Sequence, residues 1–236
     1  MKLPVGEVLR ETYEGVFLHA RVMVGLIWYA LLAYFVLIAL EEVYPDYGIS
    51  ILTWLILPMI SVPLHRYIIE GERNAGWHGR YLWYLLATIV SSLPGIFLII
   101  GAAFSLPFLG DAITFVGAGV FLLFCWATFY VLVRLSLLLP LTAVRGGIFI
   151  KDAWQIAEGN CWRLFLAIVG ATLPIPLISL LIAAPVYAFL STAGGEGILL
   201  LLFLVVLYMV NFLFVTLLSI AVLAVSYRRL AKRSGA

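Results

Sequence analysis

Residues 198–225 read ILLLLFLVVLYMVNFLFVTLLSIAVLAV, without one charged side chain. At 1.5 Å per helical residue this run exceeds the roughly 20 residues needed to cross a hydrocarbon layer about 30 Å thick. In water every side of it would have to be covered. The rest of the chain cannot supply that cover, because 65% of its 236 residues are hydrophobic and 11% are charged, against roughly 25% charged in an ordinary soluble domain. The solvent implied for most side chains is lipid, and the mean hydropathy of +1.15 points the same way.

Five further runs have spanning length, at 22–40, 49–69, 82–103, 113–139 and 162–189. The sequence therefore predicts an all-α polytopic membrane protein, a single membrane domain over 1–236 with six transmembrane helices. Too little chain remains between the runs for a soluble catalytic domain. Residues 1–20 carry Glu7, Arg10, Glu11 and Glu14 and lack the short apolar core of a secretory leader, so the first span is expected to act as the insertion signal. Cys125 and Cys161 lie in an apolar run and beside a basic segment, and read as free thiols rather than a disulfide framework.

The orientation follows from the basic residues, which cytoplasmic loops retain. Lys2, Arg10 and Arg21 precede the first span, and Arg66, Arg73 and Arg80 lie between the second and third. Arg134, Arg145, Lys151 and Arg163 flank the connection from fourth to fifth, and Arg228, Arg229, Lys232 and Arg233 follow the sixth, which accounts for all 14. The other connections hold only Glu41, Glu42, Asp46, Asp111 and Glu196. This asymmetry predicts a bacterial inner-membrane protein with both termini cytoplasmic.

Two stretches read as cytoplasmic-side interfacial amphipathic helices. In 5–20, Val5, Val8, Leu9, Thr12, Val16 and Ala20 recur at helical spacing opposite Glu7, Glu11 and Glu14, the pattern of a helix lying among headgroups. In 148–158, Ile150, Ala153, Trp154 and Ala157 oppose Lys151, Gln155 and Glu158, with Gly159 as the expected stop and Asn160 as the expected cap of the fifth span. Both stretches lead through an arginine, Arg21 or Arg163, into a span, which suggests a parallel repeat.

The segment from Arg134 to Pro140, Ala153-Trp154, and Gly159-Asn160-Cys161-Trp162-Arg163-Leu164-Phe165 resemble a bacterial inner-membrane family that includes the membrane domains fused to some glycerophosphodiester phosphodiesterases. The likeness covers roughly 134–184. It implies a membrane module and not an esterase, since the phosphodiesterase activity of the fused relatives belongs to a soluble domain with no counterpart in these residues. Arg145-Gly146-Gly147 and Glu158 depart from the family pattern.

A charge at membrane depth is costly and marks function, yet every Asp, Glu, Lys and Arg can be placed near an interface, with Arg134 expected to snorkel to the headgroups or, alternatively, to turn inward and pair with a carboxylate or lipid phosphate. His19, His65 and His78 lack metal-ligand spacing and read as interfacial structural residues. There is no nucleophile elbow, phosphate loop or dinucleotide fingerprint, so no catalytic residue, metal or cofactor is expected. Nucleic acid is not an expected partner, because the arginines are spread over four segments and are explained by topology and anionic headgroups.

Two groups of candidate site residues remain. Lys151, Trp154, Trp162 and Arg163 form an elbow suited to lipid phosphate or to a membrane or cytoplasmic protein partner. Ser91, Ser92, Pro94, Thr172, Pro174 and Asn211 fall at similar depths in the third, fifth and sixth spans, where proline kinks and polar groups could line a midplane cavity. The leading functional expectation is a non-enzymatic scaffold, assembly or regulatory protein; the alternative is a transporter or a protein binding a lipid or apolar molecule. The topology is directly testable: cysteine labelling should place Asp46, Asp111 and Glu196 outside and Arg73, Lys151 and the C-terminus inside, and one site on the opposite face would remove the six-span reading.

Overall fold

The computed structural model describes residues 2–45, 50–73, 79–105, 114–192 and 197–234. Asp46, Asp111, Glu196 and His78 lie outside them. The described residues form nine α-helices and no strand. Six stretches are long and apolar enough to cross a membrane, namely Val5–Glu41, Leu52–Glu70, Arg80–Ile100, Phe121–Arg145, Cys161–Ala188 and Phe203–Lys232.

The first and last helices are the longest. Helix α1 (Val5–Val43) has 39 residues and α9 (Ile198–Ser234) has 37, so each is roughly 55–60 Å long, about twice the hydrocarbon thickness. Helix α1 runs without a break through Ala20 and Arg21. The expected interfacial helix 5–20 and the first span 22–40 are thus one element. The apolar side of its first half faces protein: Val8, Thr12 and Val16 are completely buried, with Val8 in a cluster drawn from α7 and α9.

Prolines shape the middle of the chain in two ways. Helices α2 (Ser50–Glu70) and α3 (Arg80–Ser105) continue through Pro58, Pro63 and Pro94. The expected fourth span instead divides into α4 (Thr114–Leu135) and α5 (Leu138–Arg145), and the fifth into α7 (Cys161–Thr172) and α8 (Pro174–Thr192). Pro140 cannot bond the carbonyl of Ser136, four residues back, and the turn falls at Ser136 and Leu137. Pro174 opens α8, the position at which a missing N–H costs least.

Between them lies α6 (Ile150–Ile156), shorter than the expected 148–158. Helix α5 ends on Gly146 at φ 73°, and the turn after α6 ends on Gly159 at φ 70°, the left-handed region that glycine enters without Cβ strain. Gly159 is therefore the stop that the sequence leads one to expect. Asn160 is the N-cap of α7, as expected, although its side chain makes no capping hydrogen bond. The suggested repeat is not shared geometry, because α1 passes its arginine unbroken while α6 and α7 meet at an elbow.

Helix α1 packs on α2, α7 and α9; α2 also packs on α3, α5 and α9; α3 packs on α4 and α5; α8 packs on α7 and α9. The buried clusters gather toward the end that carries the lysines and arginines, drawing on the start of α1, the second half of α2, α5, α7 and the second half of α9. Farther along, large apolar side chains face outward, as with Ile99 in α3, Leu123 in α4 and Leu181 in α8. That is the surface expected against lipid tails.

Gly159 isolates the backbone requirement, because a Cβ there would meet nothing within 4 Å. Gly159→Ala should therefore destabilise the fold through φ alone, by about 1–2 kcal/mol, read as an earlier midpoint in denaturing-detergent titration. An unchanged midpoint would show that the elbow does not need the left-handed turn.

Candidate functional site

Three sets of polar contacts fasten the first half of α1 to α7 and α9. Pro174 has no N–H to give the carbonyl of Gly170, and that carbonyl instead accepts the Tyr13 hydroxyl at 2.9 Å, with the Ala171 carbonyl also within 3.0 Å. Gly170 allows the close approach, since a Cβ there would lie 3.1 Å from the Leu9 side chain. Ahead of α1, the buried Leu3 is gripped through its backbone: its N–H donates to Asn160 Oδ1 at 2.7 Å, and its carbonyl accepts Arg163 Nη1 at 2.9 Å. Along the acidic face, Arg229 donates to Glu7 at 2.6 Å and to Glu11 at 2.9 Å, Arg228 pairs with Glu11, and Arg228 Nη1 donates to the Ile68 carbonyl at 3.1 Å.

Beside this last set, a cavity of about 690 Å³ opens between α1, the end of α2 and α9. Pockets of this size hold small amphiphiles or part of a lipid. Its polar lining includes Glu11, Glu14, Glu70, Arg73 and Arg228, and its apolar lining includes Leu18, Met23, Ile68 and Val225. Gly15 lines it with open space at its Cβ position, and Gly71, at φ 76°, turns the chain away at the end of α2. Thr12, also in the lining, is completely buried, and its hydroxyl has no hydrogen-bond partner. A helical threonine commonly returns such a hydroxyl to the preceding turn, so this group is open to another acceptor or donor.

The six residues expected around a midplane cavity are divided between separate packings. Ser91, Ser92 and Pro94 belong to α3, which packs on α2, α4 and α5, whereas Thr172, Pro174 and Asn211 belong to the α7–α8–α9 side. The hydroxyls of Ser91 and Ser92 donate to the Thr88 carbonyl at 2.9 and 2.7 Å, and that of Thr172 to the Ile168 carbonyl at 2.9 Å, each within its own helix. Asn211 Oδ1 is buried without a partner. Pro94 leaves α3 helical, while Pro174 marks a real junction.

The elbow residues also divide. Arg163 holds Leu3, and Trp154 lies over the Arg134 guanidinium, 4.5 Å from ring centroid to Cζ. Lys151 is exposed, and Trp162 is 59% exposed beside Phe129 and Phe165. Arg134 does not snorkel as expected; it is 7% exposed and turned inward onto Tyr130 and Trp154. His65 is completely buried, with both ring nitrogens unpartnered and its ring 5.9 Å from that of Tyr84. Among the described residues no group of three or more His, Cys, Asp or Glu side chains is placed to hold a metal.

The sequence reading missed Glu11, Thr12, Gly15 and Arg228 as site residues. The acid pair Glu7 and Glu11 and the adjacent Arg228 and Arg229 were visible signals, but their pairing spans more than two hundred residues and nothing local connects them.

Fold and site together define an all-helical protein with six helices of membrane-spanning length and apolarity, closed at its basic end around a mixed polar and apolar cavity. No family model, curated protein or solved structure matches the chain. Glu11→Gln should weaken both Arg228 and Arg229 contacts and destabilise the chain by about 1–2 kcal/mol, the value for charged hydrogen bonds reduced for partial exposure. The same denaturing-detergent titration measures it, and Arg229→Ala added to Glu11→Gln should cost less than the sum of the two single changes.

Proposed function

We propose that this chain is a multi-pass protein of a bacterial inner membrane, with both termini cytoplasmic, that binds a membrane amphiphile in the cavity between α1, α2 and α9 without transforming it. The cavity carries this reading. The ends of α1, α2 and α9 that form it belong to the Lys- and Arg-bearing side, so it sits at the level of the inner-leaflet headgroups. Leu18, Met23, Ile68 and Val225 suit an acyl or other apolar portion, and Glu14, Glu70, Arg73 and Arg228 suit a polar head. The resemblance to membrane domains that accompany glycerophosphodiester phosphodiesterases supports a module working beside lipid. The cavity favours ligand binding over a purely structural scaffold. It also moves the expected binding region from the midplane to the inner surface.

Gly15 provides the test, because its Cβ position is open and a helical glycine can be replaced without backbone strain. Gly15→Leu should fill the cavity, keep or raise the unfolding midpoint, and lower lipid retention at least tenfold. The measurement is native mass spectrometry of protein released from nanodiscs of phosphatidylethanolamine and phosphatidylglycerol. A folded variant that keeps the wild-type adducts would rule the cavity out as the binding place.

A further inference from the structure

On a different side of the basic end, α4 and α6 hold a cation that the fold does not neutralise. Arg134 is in the last turn of α4 and only 7% exposed. Its guanidinium sits in the corner of two aromatic rings, with Cζ 4.9 Å from the Tyr130 centroid and 4.5 Å from that of Trp154, and the rings themselves meet edge to face at 6.1 Å. Ring faces attract the charge but take none of the five N–H donors in the conventional way. Among the described residues Arg134 has no ion pair and no hydrogen bond, and its Nε is buried without a partner. Asp152, the carboxylate of α6, is committed to Arg145 at 2.9 Å. A buried charge without a counter-charge is costly unless something completes it.

The surroundings define what would complete it. Lys151 stands one turn before Trp154 on α6, exposed and without an ion pair among the described residues. Tyr130 and Trp154 keep the planar fork in one orientation, and a fixed fork with free edge donors matches two oxygens of a phosphate. We infer that Arg134, held by Tyr130 and Trp154 and assisted by Lys151, forms an oxyanion site for a phosphate group at the inner surface. The phosphate is that of an anionic phospholipid headgroup or of free inorganic phosphate, and the site is independent of the α1–α2–α9 cavity.

The test is thermal unfolding of the full chain in detergent, titrated with dioctanoyl phosphatidylglycerol, with dioctanoylglycerol as the control without phosphate, and separately with inorganic phosphate. The phospholipid should raise the unfolding temperature. The concentration for half the effect should rise at least tenfold in Arg134→Lys, which keeps the charge but loses the fork, and in Lys151→Glu, whose exposed side chain can be exchanged without repacking. Lys232→Glu, at an exposed cation of α9 that lines neither site, should leave it unchanged. Protection by the lipid alone assigns a headgroup site, and protection by inorganic phosphate as well assigns a site for the free ion; both support an oxyanion site. Equal protection by dioctanoylglycerol, an unchanged response in the Arg134 and Lys151 variants, or an equal loss in Lys232→Glu would overturn it. If Arg134→Lys does not fold, Lys151→Glu against Lys232→Glu decides.

Discussion

Helices inside a bilayer gain little by hiding leucine from lipid, since the tails are as apolar as the side chain, and association then leans on tight packing and on polar groups that lipid cannot satisfy. The carbonyl of Gly170, deprived of its helical donor by Pro174 and taken up by Tyr13, is such a group. It ties α1 to α7 at a point where Gly170 and Leu9 already bring the two backbones close. The grip on Leu3 by Asn160 and Arg163 and the pairing of Glu7 and Glu11 with Arg228 and Arg229 extend the same contact to both sides. The cavity depends on this fastening. Helix α1 is held by α7 and α9, Gly15 leaves its wall bare, and Gly71 ends α2 beneath it, so space remains between three helices that otherwise pack closely.

The end that carries the lysines and arginines thus presents two chemically different features. Between α1, α2 and α9 the lining mixes carboxylates, arginines and apolar side chains, with most charges already paired, which suits an amphiphile of modest net charge. At α4 and α6 the guanidinium of Arg134 is oriented by aromatic faces and lacks a counter-charge, which suits a phosphate oxyanion. Both lie at the basic end of the helix bundle.

The expected midplane pocket shows where one-dimensional reasoning stopped. Pro94, Pro174 and Asn211 share a depth, but depth along separate spans does not make them neighbours. Helices α3 and α8 have different packing partners, and Ser91, Ser92 and Thr172 spend their hydroxyls within their own helices. Arg134 failed in the opposite sense. Its long side chain can reach outward from the end of a span, and only the arrival of α6 with Trp154 makes the inward position favourable. The amphipathic pattern of 5–20 marks a face to be covered, but the sequence does not say whether lipid or protein covers it.

By itself the sequence determined the all-helical class, the number of runs long and apolar enough to span, and the left-handed turn at Gly159. These follow from hydropathy, length and backbone sterics, which are local properties of the chain. Only the tertiary structure decided that α1 is one helix fastened to α7 and α9, that Tyr13 serves the carbonyl freed at Gly170, that Arg134 turns inward, and that a cavity opens beside Gly15. Each of these joins residues far apart in the chain, and such a pairing is set by which helices pack together rather than by any pattern within one of them.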